Sequence, residues 1–209
     1  MNNSKIIDEL SKQISFFGEL TKSEISDIEF HFDSALRIVL DCCKKFTNVP
    51  RSFNLRQTQH SAIFLYQLSR VVYESAHNEA LSTKIYLLNR MLNSVDMYYK
   101  IKLPRYLLVG HGLGTVFSNA IYGEYLVIFQ NTTIGIDGGK YPRIGNKVVV
   151  YSNCLIAGDT VIGDNCTISP GTILVNEKIP ENSIVFGAGK KLTIKQNKKS
   201  AIDNYFFTA

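Results

Sequence analysis

Aliphatic residues recur at every sixth position along the C-terminal half of the chain: Ile144, Val150, Ile156, Ile162, Ile168 and Leu174. Four residues after each of the first five stands a small or slender side chain: Val148, Cys154, Thr160, Cys166 and Thr172. A spacing of six fits neither the 3.6-residue turn of a helix nor the two-residue alternation of a half-buried strand. It predicts a coiled solenoid whose flat faces repeat along one axis. The aliphatic of each hexad is expected to point inward, with the small residue filling the interior near the next corner. Gly158, Asp159, Asp164, Asn165 and Gly171 supply corner residues that turn easily.

The pattern continues upstream with two interruptions. Val116, Tyr122, Ile128 and Ile134 keep the six-residue step, and each is expected to face inward. The next step, from Ile134 to Ile144, is four residues longer and contains Asp137, Gly138, Gly139 and Pro142, which predicts a loop thrown out of a corner. Behind Val116 the step to Val109 is seven; Leu103 and Met97 then restore the six. That odd step, Gly110-His111-Gly112-Leu113-Gly114, is a distorted, glycine-rich corner carrying a histidine. Irregular segments on rigid scaffolds tend to hold function. On periodicity alone, a solvated bystander histidine is the equal alternative.

Residues 1–95 follow another rule. Only Gly18 and Pro50 interrupt them, and Thr21-Lys22-Ser23-Glu24 resembles a capping box. Apolar residues at helical spacing follow it (Ile25, Ile28, Phe32, Leu36, Leu40), with further helical stretches near 61–76 and 82–93. We expect three or four helices packed as a small bundle. Phe30, Phe32, Tyr66, Tyr73 and Tyr86 are expected in its core or an interface, and His31, His60 and His77 in surface or capping roles.

Composition adds limits. The chain has 209 residues, ordinary hydrophobic content (45%) and no run of eighteen apolar residues, so no transmembrane helix is expected. Its first residues lack the apolar core of a signal peptide. Cys154 and Cys166 fall on interior positions, and Cys42 and Cys43 lie in a helical pattern. None has metal spacing, so buried thiols in a reducing cytoplasm are expected, with no metal. Net charge is +5, with Lys190, Lys191, Lys195, Lys198 and Lys199 clustered near the end. No aromatic interleaving or recognition-helix pattern accompanies them, which argues against nucleic acid.

These residues resemble the serine acetyltransferase group of the hexapeptide-repeat acyltransferases. Val95-Asp96-Met97 stands fifteen residues before His111, as a V-D-I stretch stands before the catalytic histidine in that family. His111, Gly112, Gly114 and Val116 follow its H-x-x-G-x-V segment in part. Residues 129–135 resemble L-Q-x-V-T-L-G, and residues 138–144 resemble G-G-D-R-H-P-K-I. The resemblance implies an α+β segregated chain: a helical bundle (1–95), a left-handed parallel β-helix (96–186) and a basic tail (187–209). It implies a homotrimer, or a hexamer of paired trimers, using acetyl-CoA as co-substrate.

On this resemblance His111 is the general base and Asp96 orients it; imidazole suits the task because its ordinary pKa lies near neutrality. Gly135, Ser152 and Pro170 match contacts to the cofactor, and Gly187, Lys190 and Lys191 the stretch that meets its phosphates. The acceptor positions depart from the family. Gly110 replaces an aspartate, and Lys140-Tyr141 replaces an arginine and histidine, so a sugar hydroxyl is as well supported as L-serine. An N-acetyltransferase acting on an amino sugar and a catalytically silent scaffold are the alternatives.

Overall fold

The computed structural model describes residues 3–207. Four helices come first: α1 (Asn3–Ile14), α2 (Lys22–Cys43), α3 (Thr58–Val71) and α4 (Glu79–Asn93). The capping box opens α2 as expected. Glu24 N–H donates to Thr21 Oγ1 (3.1 Å) and Thr21 N–H donates to Glu24 Oε2 (2.8 Å), satisfying two donors that the first turn leaves unpaired. A π-turn at Val72–Ala76 extends α3, and an N-cap bond from Leu81 N–H to Asn78 Oδ1 starts α4.

The chain then lays down short strands in rotation. They are β1 (Val95–Met97), β2 (Leu107–Gly110), β3 (Thr115–Phe117), β4 (Ile121–Tyr122) and β5 (Leu126–Phe129). Next come β6 (Thr133–Gly135), β7 (Arg143–Ile144), β8 (Val149–Val150), β9 (Leu155–Ala157) and β10 (Val161–Ile162). The last are β11 (Thr167–Ile168), β12 (Ile173–Val175), β13 (Lys178–Ile179), β14 (Ser183–Phe186) and β15 (Thr193–Gln196). They form three sheets: β1-β3-β6-β9-β12, β4-β7-β10-β13, and β15-β14-β11-β8-β5-β2. Every pairing among them is parallel except β14 with β15. The result is a three-sided β-helix with an edge where each sheet hands over to the next.

The six-residue pattern reads the interior correctly from Ile128 onward. Ile128, Ile134, Ile144, Val150, Ile156, Ile162, Ile168 and Leu174 are all buried, and so are the small residues Val148, Cys154, Thr160, Cys166 and Thr172. Each buried aliphatic contributes about 1.5–3 kcal/mol relative to exposure. Val116 departs from the expectation. It pairs with Asp96 across β1 and β3 and shares the outer face with it, while the next residue, Phe117, fills the interior. A strand position can serve only one face, and here the bulkier ring takes the core.

The helices pack on the outer face of the third sheet. Leu108, Val127 and Val149 point outward from it yet are buried, in one cluster with Phe32, Val39, Phe64 and Leu68 of the bundle and with Ile202 and Phe206 near the C-terminus. Phe30 departs from the core expectation, at 79% exposed. His60 departs from the surface expectation: it is fully buried between Phe46 and Phe53, its Nδ1 accepting from Asn54 N–H (3.2 Å). Stacking two rings on the imidazole outweighs its solvation there. No described helix is long and apolar enough to cross a membrane.

Candidate active site

The edge between the third and first sheets carries His111. Across that corner the register changes: Val109 pairs with Ile128, nineteen residues on, whereas Val116 pairs with Thr133, seventeen residues on. The His111 corner is therefore two residues longer than the one stacked on it. The seven-residue step seen in the sequence understates this, because it takes Val116 as an inward residue.

Backbone chemistry holds the enlarged corner. His111 adopts a left-handed conformation (φ 52°), which non-glycine residues seldom take. Gly110 is buried, and a Cβ there would come 2.6 Å from the Phe129 ring, so this position has no room for the carboxylate that the related family carries. Gly114 N–H donates to Ser94 O (2.9 Å), tying the corner to the end of α4. The His111 side chain projects into solvent and makes no hydrogen bond among the described residues.

Asp96 lies outward on β1, half-buried, facing a cavity of about 260 Å³ that Arg90, Ser94, Gly114 and Thr115 also line. The cavity thus sits between α4 and the histidine corner. Tyr86 Oη donates to Asp96 Oδ1 (2.6 Å), and Arg90 Nε stands 3.8 Å from Oδ2. The Arg90 guanidinium also lies over the Tyr86 ring. Burial, reinforced by the bond to Asp96, pushes the Tyr86 phenol up to about 12, so it stays a donor across the physiological range. No hydrogen bond joins Asp96 to His111 here. In the sequence Tyr86 carries only the expectation of a core or interface role, and Arg90 does not stand out; the signal is a phenol and a cation four residues apart on one helix.

The other expected residues divide between edges. His111, Ser152, Pro170 and Gly187 stand at equivalent positions, two residues beyond the paired Val109, Val150, Ile168 and Val185, so they share one edge. A short turn at Gly189–Lys191 closes that edge with Lys190 and Lys191 exposed. Pro170 offers no N–H, but Gly171 N–H donates to Ser152 O (2.9 Å). Gly135 ends β6 beside Ala157 on the first sheet.

Lys140 and Tyr141 lie on a different edge, between the first and second sheets. There the ten-residue step forms the expected loop. Asp137 and Lys140 exchange backbone hydrogen bonds (3.1 and 2.9 Å) around Gly138 and Gly139, both at positive φ. Tyr141 is 47% exposed over a second cavity of about 300 Å³, beside Lys100, Lys102 and Ile121. Within one chain the first sheet separates these two side chains from His111.

Comparison with known proteins agrees with this architecture. Residues 141–176 match the family model described as bacterial transferase hexapeptide (six repeats). A serine acetyltransferase of Synechococcus elongatus is 30% identical over 105 residues, covering 48% of this chain and 43% of that protein. One from Helicobacter pylori is 26% identical over 113 residues, covering 52% and 66%. The chain thus spans only 43% and 66% of the length of these two relatives. The crystal structure of serine acetyltransferase from Vibrio cholerae superposes with a TM-score of 0.70 at 16% identity, covering 92% of this chain and 79% of that one.

The chain carries hexapeptide repeats and is similar to serine acetyltransferases. Its helices followed by a β-helix are the arrangement of that solved structure, and the matched repeats are the coils that carry Ser152 and Pro170. The histidine edge and the Gly138–Gly139 loop are both built on this shared framework.

Proposed function

We propose that the chain is an acetyl-CoA-dependent O-acetyltransferase in which His111 is the general base. The observation that carries this reading is the enlarged corner: two extra residues present an exposed imidazole, and Gly114 of the same corner lines a cavity faced by the Asp96 carboxylate. The acceptor oxygen attacks the thioester carbonyl while His111 takes the hydroxyl proton. The carbon–sulfur bond then breaks, and the same proton passes to the departing thiolate. Corner N–H groups are suited to stabilise the tetrahedral oxyanion. Asp96 serves as the orienting carboxylate once it turns towards the imidazole.

The cofactor lies along the edge of His111, Ser152, Pro170 and Gly187, Gly135 borders it, and Lys190 and Lys191 take its phosphates. Lys140 and Tyr141 reach the acceptor from a neighbouring copy in a homotrimer. The outward apolar residues of the first sheet, Val116, Leu155, Ile173 and Val175, are suited to that contact. The acceptor is a small hydroxyl compound, L-serine or a sugar. Arg90, half-exposed over the same cavity, supports an acceptor that carries an acid group. A CoA-release assay against L-serine and a panel of sugars tests this: His111→Ala should lose about 10²–10⁴ in rate. Full activity in that variant would remove His111 from the mechanism.

A further inference from the structure

The C-terminal lysines form one run in the sequence but part company in the fold. Lys190 and Lys191 stay on the histidine edge. Strand β15 then crosses the third sheet antiparallel to β14, carrying Lys195 over the Phe186 ring. Lys198 and Lys199 arrive at the opposite edge, between the second and third sheets, in a strap that Asn165 clamps. Asn165 Nδ2 donates to Lys199 O (3.1 Å), and Ala201 N–H donates to Asn165 Oδ1 (2.7 Å).

Strap and edge enclose a cleft of about 670 Å³, the size of a small-molecule site. One corner column lines it: Tyr125, Lys147, Asn165 and Asn182, all left-handed at φ 55–60°. Asparagine is at ease in that conformation, whereas lysine is strained by its Cβ. Tyr125 is held in place by stacking on Tyr106 and an edge contact with Phe206. The Lys147 N–H donates to Glu124 O (2.8 Å), the bond this column repeats at Asn165 and Asn182, so the corner sets its backbone while its side chain has no such contact among the described residues.

The charges in the cleft divide the same way. Asp164 accepts from Asn146 N–H (2.7 Å) and from its side-chain amide, and Glu124 accepts from Tyr106 N–H (3.1 Å). Both carboxylates are thus turned onto neighbouring N–H groups. The ammonium groups of Lys147, Lys198 and Lys199 are unpaired among the described residues, and Ser200 lines the same cleft. Uncommitted groups in the cleft are therefore mainly donors. Three point charges without an arginine fork suit a tetrahedral, multiply charged anion better than a flat carboxylate.

We infer that this cleft, on a different edge from His111, binds a phosphate-bearing small molecule through Lys147, Lys198 and Lys199. The site stands independently of the acetyl-transfer reading. Titration calorimetry with inorganic pyrophosphate, in saturating coenzyme A to occupy the other edge, provides the test. One site per chain is expected, weakened at least tenfold by Lys147→Ala and by the double change Lys198→Ala with Lys199→Ala. Lys195→Ala, outside the cleft, should leave it unchanged. Lys147→Asn should raise the melting temperature while losing the ligand, which separates binding from folding. A parallel titration with ribose 5-phosphate tells an organic phosphate from the free anion, and saturable binding of either supports the site. Absence of saturable binding, loss of equal size in Lys195→Ala, or displacement of the probe by coenzyme A would overturn it.

Discussion

Tyr86 holds Asp96: the phenol of α4 donates a 2.6 Å hydrogen bond to the carboxylate that the proposed mechanism assigns to the histidine. Asp96 cannot use the same oxygen in the same direction for both partners. Its Oδ2 makes no hydrogen bond among the described residues, so the carboxylate can serve the imidazole either through that oxygen or by releasing Tyr86.

Changing Tyr86 to Phe removes the competing donor. CoA release should stay within tenfold of the parent, whereas Asp96→Asn should fall by about 10²–10⁴, since it leaves the imidazole without its orienting charge. The lost bond, half open to solvent, should lower stability by about 1 kcal/mol in a denaturant melt. Equal losses of rate in the two variants would place Tyr86 itself in the chemistry.

Glycines at two corners should fail for different reasons. Gly163 faces the next coil so closely that a Cβ would lie 2.5 Å from Glu181 N, and backbone cannot step aside cheaply. Gly163→Ala should cost about 1–3 kcal/mol by overpacking. Gly171 has open space around it but sits at φ +74°, so Gly171→Ala should cost about 1–2 kcal/mol through conformation alone. Raising the temperature of a crystal-grade sample in a scanning calorimeter distinguishes neither cause. A second change, Gly171→Asn, does: asparagine tolerates that φ and should recover most of the loss.

Asn165 joins three pieces of chain through Asn182, Lys199 and Ala201. Asn165→Ala should therefore speed amide exchange at Lys199 and Ala201 by one to two orders of magnitude while exchange in β8 and β11 stays slow. Unchanged exchange in the strap would show that other contacts hold it.

His60 sets an acid limit on stability. Burial lowers its pKa from the ordinary 6.5, partly opposed by backbone hydrogen bonds, so the folded chain resists a proton that the unfolded chain accepts. The unfolded state then binds more protons below about pH 6.5, and stability is present above that value and lost as pH falls. His60→Phe should flatten the fall in melting temperature between pH 6.5 and 5. A slope unchanged by the substitution would assign it to other groups.

The coils were legible in the sequence because one inward residue per strand repeats at a fixed interval, and Ile144 to Leu174 keep that interval without a gap. Val116 was misread for the same reason that made the corner distinctive. Two inserted residues moved the inward position to Phe117, and an isolated count cannot tell which of two adjacent apolar residues turns in. The Gly138–Gly139 loop was visible as a glycine pair. The split between edges was not: Tyr141 and His111 lie on different corners of one chain, and only the rotation of the strands decides that. The contact of Tyr86 and Arg90 with Asp96 escaped because a helix face that meets a strand of another layer leaves little local trace.

Strand β15 has a further consequence. A stack of parallel coils is an open-ended template, and its last rung exposes N–H and C=O groups that a second copy could extend into a filament. By running backwards along β14, β15 occupies that rung on one side with a strand of the wrong direction for continuation. Its lysine-bearing, half-solvated residues further discourage a newcomer. The same short ribbon that delivers cations to the far side of the prism thus covers one of the three strand edges at that end of the coil.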